Sequence, residues 1–328
     1  MSINKLKTKI KRSDFVILVV LLAATMILLS GLGSRFYSVA NFKSMSFQVS
    51  EFGFIALAMS LAMLSGGIDL SVVSNAGLAG VICIMFMSGK IVDVSGWSET
   101  LTITIGISLA LTASTLGGIF NGILIAKLSI PPILATLGTM MLYNGIGMAM
   151  TNGASMGNTV RTYTRIGVAD IGGIPLILIL LLIAFIVVSF VLRNTLFGTR
   201  LYLVGDNKTV ARFSGINVDR TLIGTYALAG FLVGIAAVIM TSRVNSARMG
   251  FGDTYQLQAI LVSVMGGINP NGGKGNVLGV GIGIVILQFL QSALTILGGT
   301  PYMKQLIWGF LLLLVMITNY LLSQRSKS

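Results

Sequence analysis

The sequence contains no histidine. That removes the commonest general base and the commonest protein ligand for transition metals. It has a single cysteine, Cys83, inside an apolar run, so no internal disulfide forms and the redox compartment goes unmarked. Charge is scarce too. Asp, Glu, Lys and Arg make up 9% of 328 residues, against about a quarter in soluble domains. No acids pair closely, and no nucleophile lies beside a base. An intramembrane enzyme would therefore lack working parts.

Apolar residues fill the space: 55% of the chain, with a mean hydropathy of +0.93. A soluble fold of this size would have to expose much of that surface to water, whereas a bilayer accepts it. The 40 glycines fit the same reading, because glycine lets membrane helices pack closely or break. The net charge of +13 does not point to nucleic acid. The basic residues lie in tails and loops between apolar runs, without aromatic residues interleaved. A positive-inside bias accounts for them.

A spanning helix needs about 20 mostly apolar residues. Residues 15–32, 101–126, 133–150, 175–192, 221–240 and 306–322 meet that requirement directly. Residues 47–65 and 71–88 form a pair split by Gly66-Gly67-Ile68-Asp69, and 255–264 and 277–297 a second pair split by a glycine-rich gap. The first run has the basic start and small residues of a signal peptide, but the many spans behind it favour an uncleaved helix. The sequence thus predicts an all-α polytopic membrane protein of about ten transmembrane helices. Placing both termini in the cytoplasm puts more of the Lys and Arg inside than outside. Basic tails are expected at 1–14 and 323–328, around one membrane domain at 15–322. The loop at 193–220 has room for two short helices and no soluble domain.

Four features carry chemistry. Gly66 and Gly67 end a helix at little cost, and Asp69 follows where it can cap the next one. A charge at this depth also fits a position beside a polar pathway. The cap alone is reason enough for it. Gly66-Gly67-Ile68-Asp69 further resembles Gly266-Gly267-Ile268-Asn269, a hint of the internal repeats found in transporters. In the loop 205–215, Asp206 or Asn207 makes a good N-cap and Gly215 a good C′ residue. Between them Val210 and Phe213 share one face of a short amphipathic helix that also carries Lys208 and Arg212. Such a helix docks in a partner's groove, or lies on its own membrane domain or the lipid surface.

The run Met265 to Gly275 looks like a phosphate loop but fails on spacing. Ile268 stands where the first glycine is needed, and Gly275 follows Lys274 in place of Ser or Thr. It is expected to be a tight turn between closely packed helices, with Gly279, Gly281 and Gly283 behind it. Finally, Asn75, Asn121, Asn144, Gln256, Gln258, Gln288 and Gln291 lie within spans. Amides both donate and accept, which suits a hydroxylated solute, and they also hold membrane helices together. Glu51, Asp69 and Asp253 are the only acids near spans, too few for proton or sodium coupling.

Three stretches now carry a resemblance. They are Ser65-Gly66-Gly67-Ile68-Asp69-Leu70-Ser71, Gly205 to Arg220, and Asn245-Ser246-Ala247-Arg248 through Gly275. In order and spacing over nearly the whole chain, the sequence resembles the permease subunits of ABC importers for simple sugars, the ribose, xylose and autoinducer-2 type. The first stretch favours that branch over the branched-chain amino-acid branch. The resemblance implies a type II importer-like permease with no cofactor of its own. Two cytoplasmic ATPases holding ATP and Mg, an external solute-binding protein and a second permease copy would be its partners. Asn207, Val210, Arg212, Phe213, Gly215 and Arg220 would form the segment coupled to the ATPase. Gly66, Gly67, Asp69, Asn75, Asn121, Asn144, Tyr255, Gln256 and Gln258 become candidates for the translocation path or its helix breaks. One departure stands out: Gln256 and Gln258 replace acids that many relatives carry after the tyrosine. The rival reading is a secondary transporter or channel that works without ATP.

Overall fold

The computed structural model describes residues 31, 35–158 and 160–325. The predicted first span at 15–32 and the basic start lie outside the described residues, Gly31 excepted. Twelve α-helices follow among the described residues. They are α1 (Val39–Leu64), α2 (Val72–Met87), α3 (Glu99–Ala126), α4 (Pro132–Thr151), α5 (Thr164–Val168) and α6 (Leu176–Asn194), then α7 (Leu196–Asp206), α8 (Lys208–Phe213), α9 (Val218–Val244), α10 (Asp253–Met265), α11 (Val277–Ile296) and α12 (Pro301–Arg325). Sheet is confined to two antiparallel two-residue pairs. One joins β1 (Met156–Gly157) to β4 (Ser246–Ala247), and the other joins β2 (Asp170–Ile171) to β3 (Ile174–Pro175).

Seven helices among the described residues are long and apolar enough to cross a bilayer: α1, α3, α4, α6, α9, α11 and the first 18 residues of α12. The protein is an all-α, multi-pass membrane protein. Of the three missing from the expected ten, one is the run at 15–32, outside the described residues, and the other two are the short members of the split pairs. Helix α2 has 16 residues and α10 has 13. At 1.5 Å per residue these reach about 24 and 20 Å, short of the roughly 30 Å hydrocarbon core. Each is continued at one end by irregular backbone, 65–71 before α2 and 266–276 after α10.

The long helices differ in where they sit. Helices α1 and α9 are mostly buried, whereas α12 is almost wholly exposed. Helices α3, α4 and α6 bury one face only, so their apolar outer faces suit lipid or another chain. The centre of the bundle is α9 against α3, brought together backbone to backbone. A Cβ on Gly118 would lie 2.1 Å from the Tyr226 carbonyl oxygen, and one on Gly230 would lie 2.5 Å from that of Ser114.

The tight turn expected after Met265 is present. Gly266 lies against Gly279 and Val280, and Gly283 against Val262. Gly281 instead faces Phe185 of α6 at ordinary contact distance, because it points to the opposite side of α11. Both glycine pairs end their helices with the same cap. Gly67 N–H bonds Ala62 O and Gly66 N–H bonds Met63 O, while Ile268 N–H bonds Ser263 O and Gly267 N–H bonds Val264 O. The register differs. The left-handed residue is the first glycine in one case (Gly66, φ +83°) and the second in the other (Gly267, φ +85°). Matching tetrapeptides therefore adopt the same motif one residue out of step.

Candidate functional site

The first site is the segment leading into and out of α8. Thr195 caps α7, accepting from Gly198 N–H at 3.4 Å. Asn207 ends α7 and starts α8 in one residue, its Oδ1 accepting from Thr209 N–H at 2.9 Å and Val210 N–H at 3.0 Å. At the other end Gly215 takes φ +77°. Its N–H bonds Arg212 O and that of Ile216 bonds Ala211 O, a complete Schellman closure. A helix this short is marginal alone, and it is held here by a cap at each end. Ala211 is buried beneath it. Val210 and Phe213 point away, Phe213 at 91% exposure. Arg212 Nη2 lies 3.6 Å from Asp219 Oδ1 across the turn. Arg220 is exposed in the first turn of α9, its N–H bonded to Asn217 Oδ1. Beside α8 opens a concavity of about 480 Å³, lined by Ile130, Pro131, Lys208, Arg212, Phe213 and Leu222 among others.

The second site lies at the break between α1 and α2. Asp69 is buried, and its Oδ1 accepts from Ser71 N–H at 2.9 Å and Ser71 Oγ–H at 2.7 Å. The N-cap of α2 is Ser71, so Asp69 closes the turn before the helix instead of capping its free N–H groups. Asn121 donates to Ser71 Oγ at 2.7 Å and accepts from Thr139 Oγ1 at 2.7 Å. The Thr136 hydroxyl joins the same turn, donating to Ile68 O and accepting from Leu70 N–H. One turn into α2, Asn75 donates to Ser114 O at 3.0 Å. Asp69, Asn75 and Asn121 are thereby used within the fold, tying α2 to α3 and α4.

A third polar group occupies the other half of the bundle. Glu51 of α1 pairs with Arg243 of α9 at 2.9 Å and accepts from Tyr255 OH at 3.0 Å. The Arg243 guanidinium also lies over the Phe47 ring, 5.7 Å from its centre. Nearby, Gln48 Oε1 accepts from Gln288 and Gln291, and Gln291 accepts from Gln258. The structure thus brings Tyr255 and Gln258 together with Glu51, Gln288 and Gln291. Gln256 and Asn144 are half-buried and belong to neither network. Sequence reading missed Gln48 and Arg243. The signals were an amide one helical turn from Glu51 and an arginine just past the apolar run of α9.

Among the described residues no group of three or more Cys, Asp or Glu side chains comes together.

The residues of this architecture match a known family model, the permease component of branched-chain amino acid transport systems, over residues 41–316. The chain belongs to that family. Ribose import permease protein RbsC of Haemophilus influenzae is 33% identical to it over 317 residues, covering 95% of this chain and 94% of the relative. RbsC of Bacillus subtilis is 33% identical, covering 89% and 88%. Autoinducer 2 import system permease protein LsrD of Yersinia enterocolitica is 31% identical, covering 90% and 89%. No solved structure matches. The chain is a transport-system permease component, and the matched region takes in α8 and both polar networks.

Proposed function

We propose that this chain is the membrane subunit of an ATP-driven importer that carries a sugar or sugar-like solute across the cytoplasmic membrane. The carrying observation is α8, a short helix capped at both ends that holds Phe213 almost fully clear of the protein. A large apolar side chain fixed that far out gains little from burial within the fold, and it suits a groove on a cytoplasmic partner. In this reading that partner is an ATPase, which alone holds ATP and Mg and alone catalyses. Closure of two ATPases would pull on α8 and rock a pair of permeases about the solute path. An external binding protein would deliver the solute at the opposite end. The similarity to ribose and autoinducer-2 permeases supports a polyhydroxylated solute.

The test is capture of the tagged chain from its native membrane, with identification of the co-purified chains. A P-loop ATPase and a solute-binding protein among them support the importer reading. A second permease decides between like and unlike pairs. A stable assembly without any ATPase overturns the proposal in favour of an ATP-independent carrier or channel.

A further inference from the structure

Gly205 stands just before the docking helix, where three segments distant in sequence touch backbone to backbone. A Cβ there would lie 2.0 Å from Leu64 O and 2.6 Å from Gly273 N. One on Gly272 would lie 2.6 Å from both Gly205 O and Gly66 N. The Gly273 N–H donates to Leu64 O at 3.0 Å. Gly66, Gly272 and Gly273 all take left-handed φ values, +83°, +88° and +70°. One turn back on α7, Tyr202 OH donates to Gly275 O at 3.0 Å. Burial raises the Tyr202 phenol above the ordinary tyrosine range, so at neutral pH it is a neutral donor. The end of α7, the end of α1 and the strap 266–276 are therefore one contact without side chains between them.

Two features make this contact mechanical. Asn207 is at once the last cap of α7 and the first cap of α8, so a displacement of α8 carries the end of α7 with it. Backbone in direct contact also has no rotamer to absorb the movement. The two segments it touches are the breaks that follow α1 and α10, after which the short helix α2 and the long helix α11 begin. We propose that Gly205 is the positioning residue that passes movement of the docking helix to both helix breaks at once, with the Tyr202–Gly275 bond as its second tie. The inference rests on the importer reading above.

The experiment uses the complete importer in proteoliposomes, as wild type, Gly205→Ala and Tyr202→Phe. Three quantities are read for each: solute taken up, ATP hydrolysed, and ATPase retained on the purified permease. Gly205→Ala is expected to lower uptake about tenfold, with hydrolysis and retained ATPase within about twofold of wild type. Tyr202→Phe keeps the ring and removes one hydrogen bond. It is expected to lower solute moved per ATP about threefold, on an assembly of normal yield. If Gly205→Ala fails to assemble, Tyr202→Phe decides alone. Uptake and hydrolysis that fall together, in step with retained ATPase, would show a purely structural role and overturn the proposal. So would two variants that transport like wild type. A wild-type assembly that takes up nothing on ATP overturns the importer reading instead, and this inference with it.

Discussion

Arg243 on α9 meets Glu51 on α1 at 2.9 Å, with the Glu51 side chain only 4% exposed. Sequence separates these residues by most of the chain, and the apolar interior makes each dependent on the other. Removing one partner leaves the other charge without its counter-charge, most costly for the buried Glu51, at about 3 kcal/mol. Glu51→Gln and Arg243→Met are each expected to lower the thermal stability of the detergent-solubilised protein markedly. The joint variant Glu51→Gln with Arg243→Met is expected to recover most of the loss. A thermal-unfolding double-mutant cycle checks this, and additive losses would show that the pair is not coupled.

Phe213→Asp is expected to abolish uptake with insertion, yield and thermal stability unchanged, because the side chain is 91% exposed. Gly215→Pro should also abolish uptake, by another route. Proline fixes φ near −65° where the chain needs +77°, and it deletes the N–H that bonds Arg212 O. Uptake assays with matched membrane levels check both. Normal transport by a well-inserted Phe213→Asp protein would sink the docking reading.

At the break after α1, Asp69→Asn is expected to be milder than Asp69→Leu. Asparagine keeps an oxygen for the Ser71 N–H, whereas leucine leaves the Ser71 N–H and hydroxyl without their acceptor, at about 2 kcal/mol. Melting temperature and uptake, measured together, separate the roles. Equal and complete loss of uptake in both, with Asp69→Asn still stable, would show that the charge itself is used.

The α3–α9 contact predicts a contrast between two glycines. Gly118→Val places a side chain where only 2.1 Å separates the Cβ position from Tyr226 O, and it is expected to prevent a stable bundle. Gly138→Val on α4 meets nothing within 4 Å and should leave the melting temperature of the solubilised subunit within a few degrees of wild type, an effect of about 0.5 kcal/mol. Size-exclusion profiles and thermal melts of the two variants compare them directly.

Much of this was legible from residues alone. Gly215 marks the end of α8 in the sequence and Asp206 or Asn207 its start, because caps are local chemistry, and the structure selects Asn207. The breaks at Gly66 and Gly267 were legible for the same reason. The part played by Asp69 was not. Whether a carboxylate caps a helix or closes the turn before it depends on where Ser71 points, and Asn121, fifty residues along, fixes that. The amides posed the same problem. Gln258 and Gln288 could equally have lined an opening or tied helices, and only their bonds to Gln291 and Gln48 show the second use.

The sequence by itself determined that this chain lives in a membrane, that its helices break at paired glycines, and that it carries a short capped helix with Val210 and Phe213 on one face. These follow from composition and from interactions spanning a few residues. The tertiary structure decided which distant segments share a contact: Glu51 with Arg243, and Gly66 and Gly205 with Gly272 and Gly273. A glycine records only that a side chain is missing. What fills the space is set by the packing of helices whose order along the chain says nothing of their neighbours in the bundle.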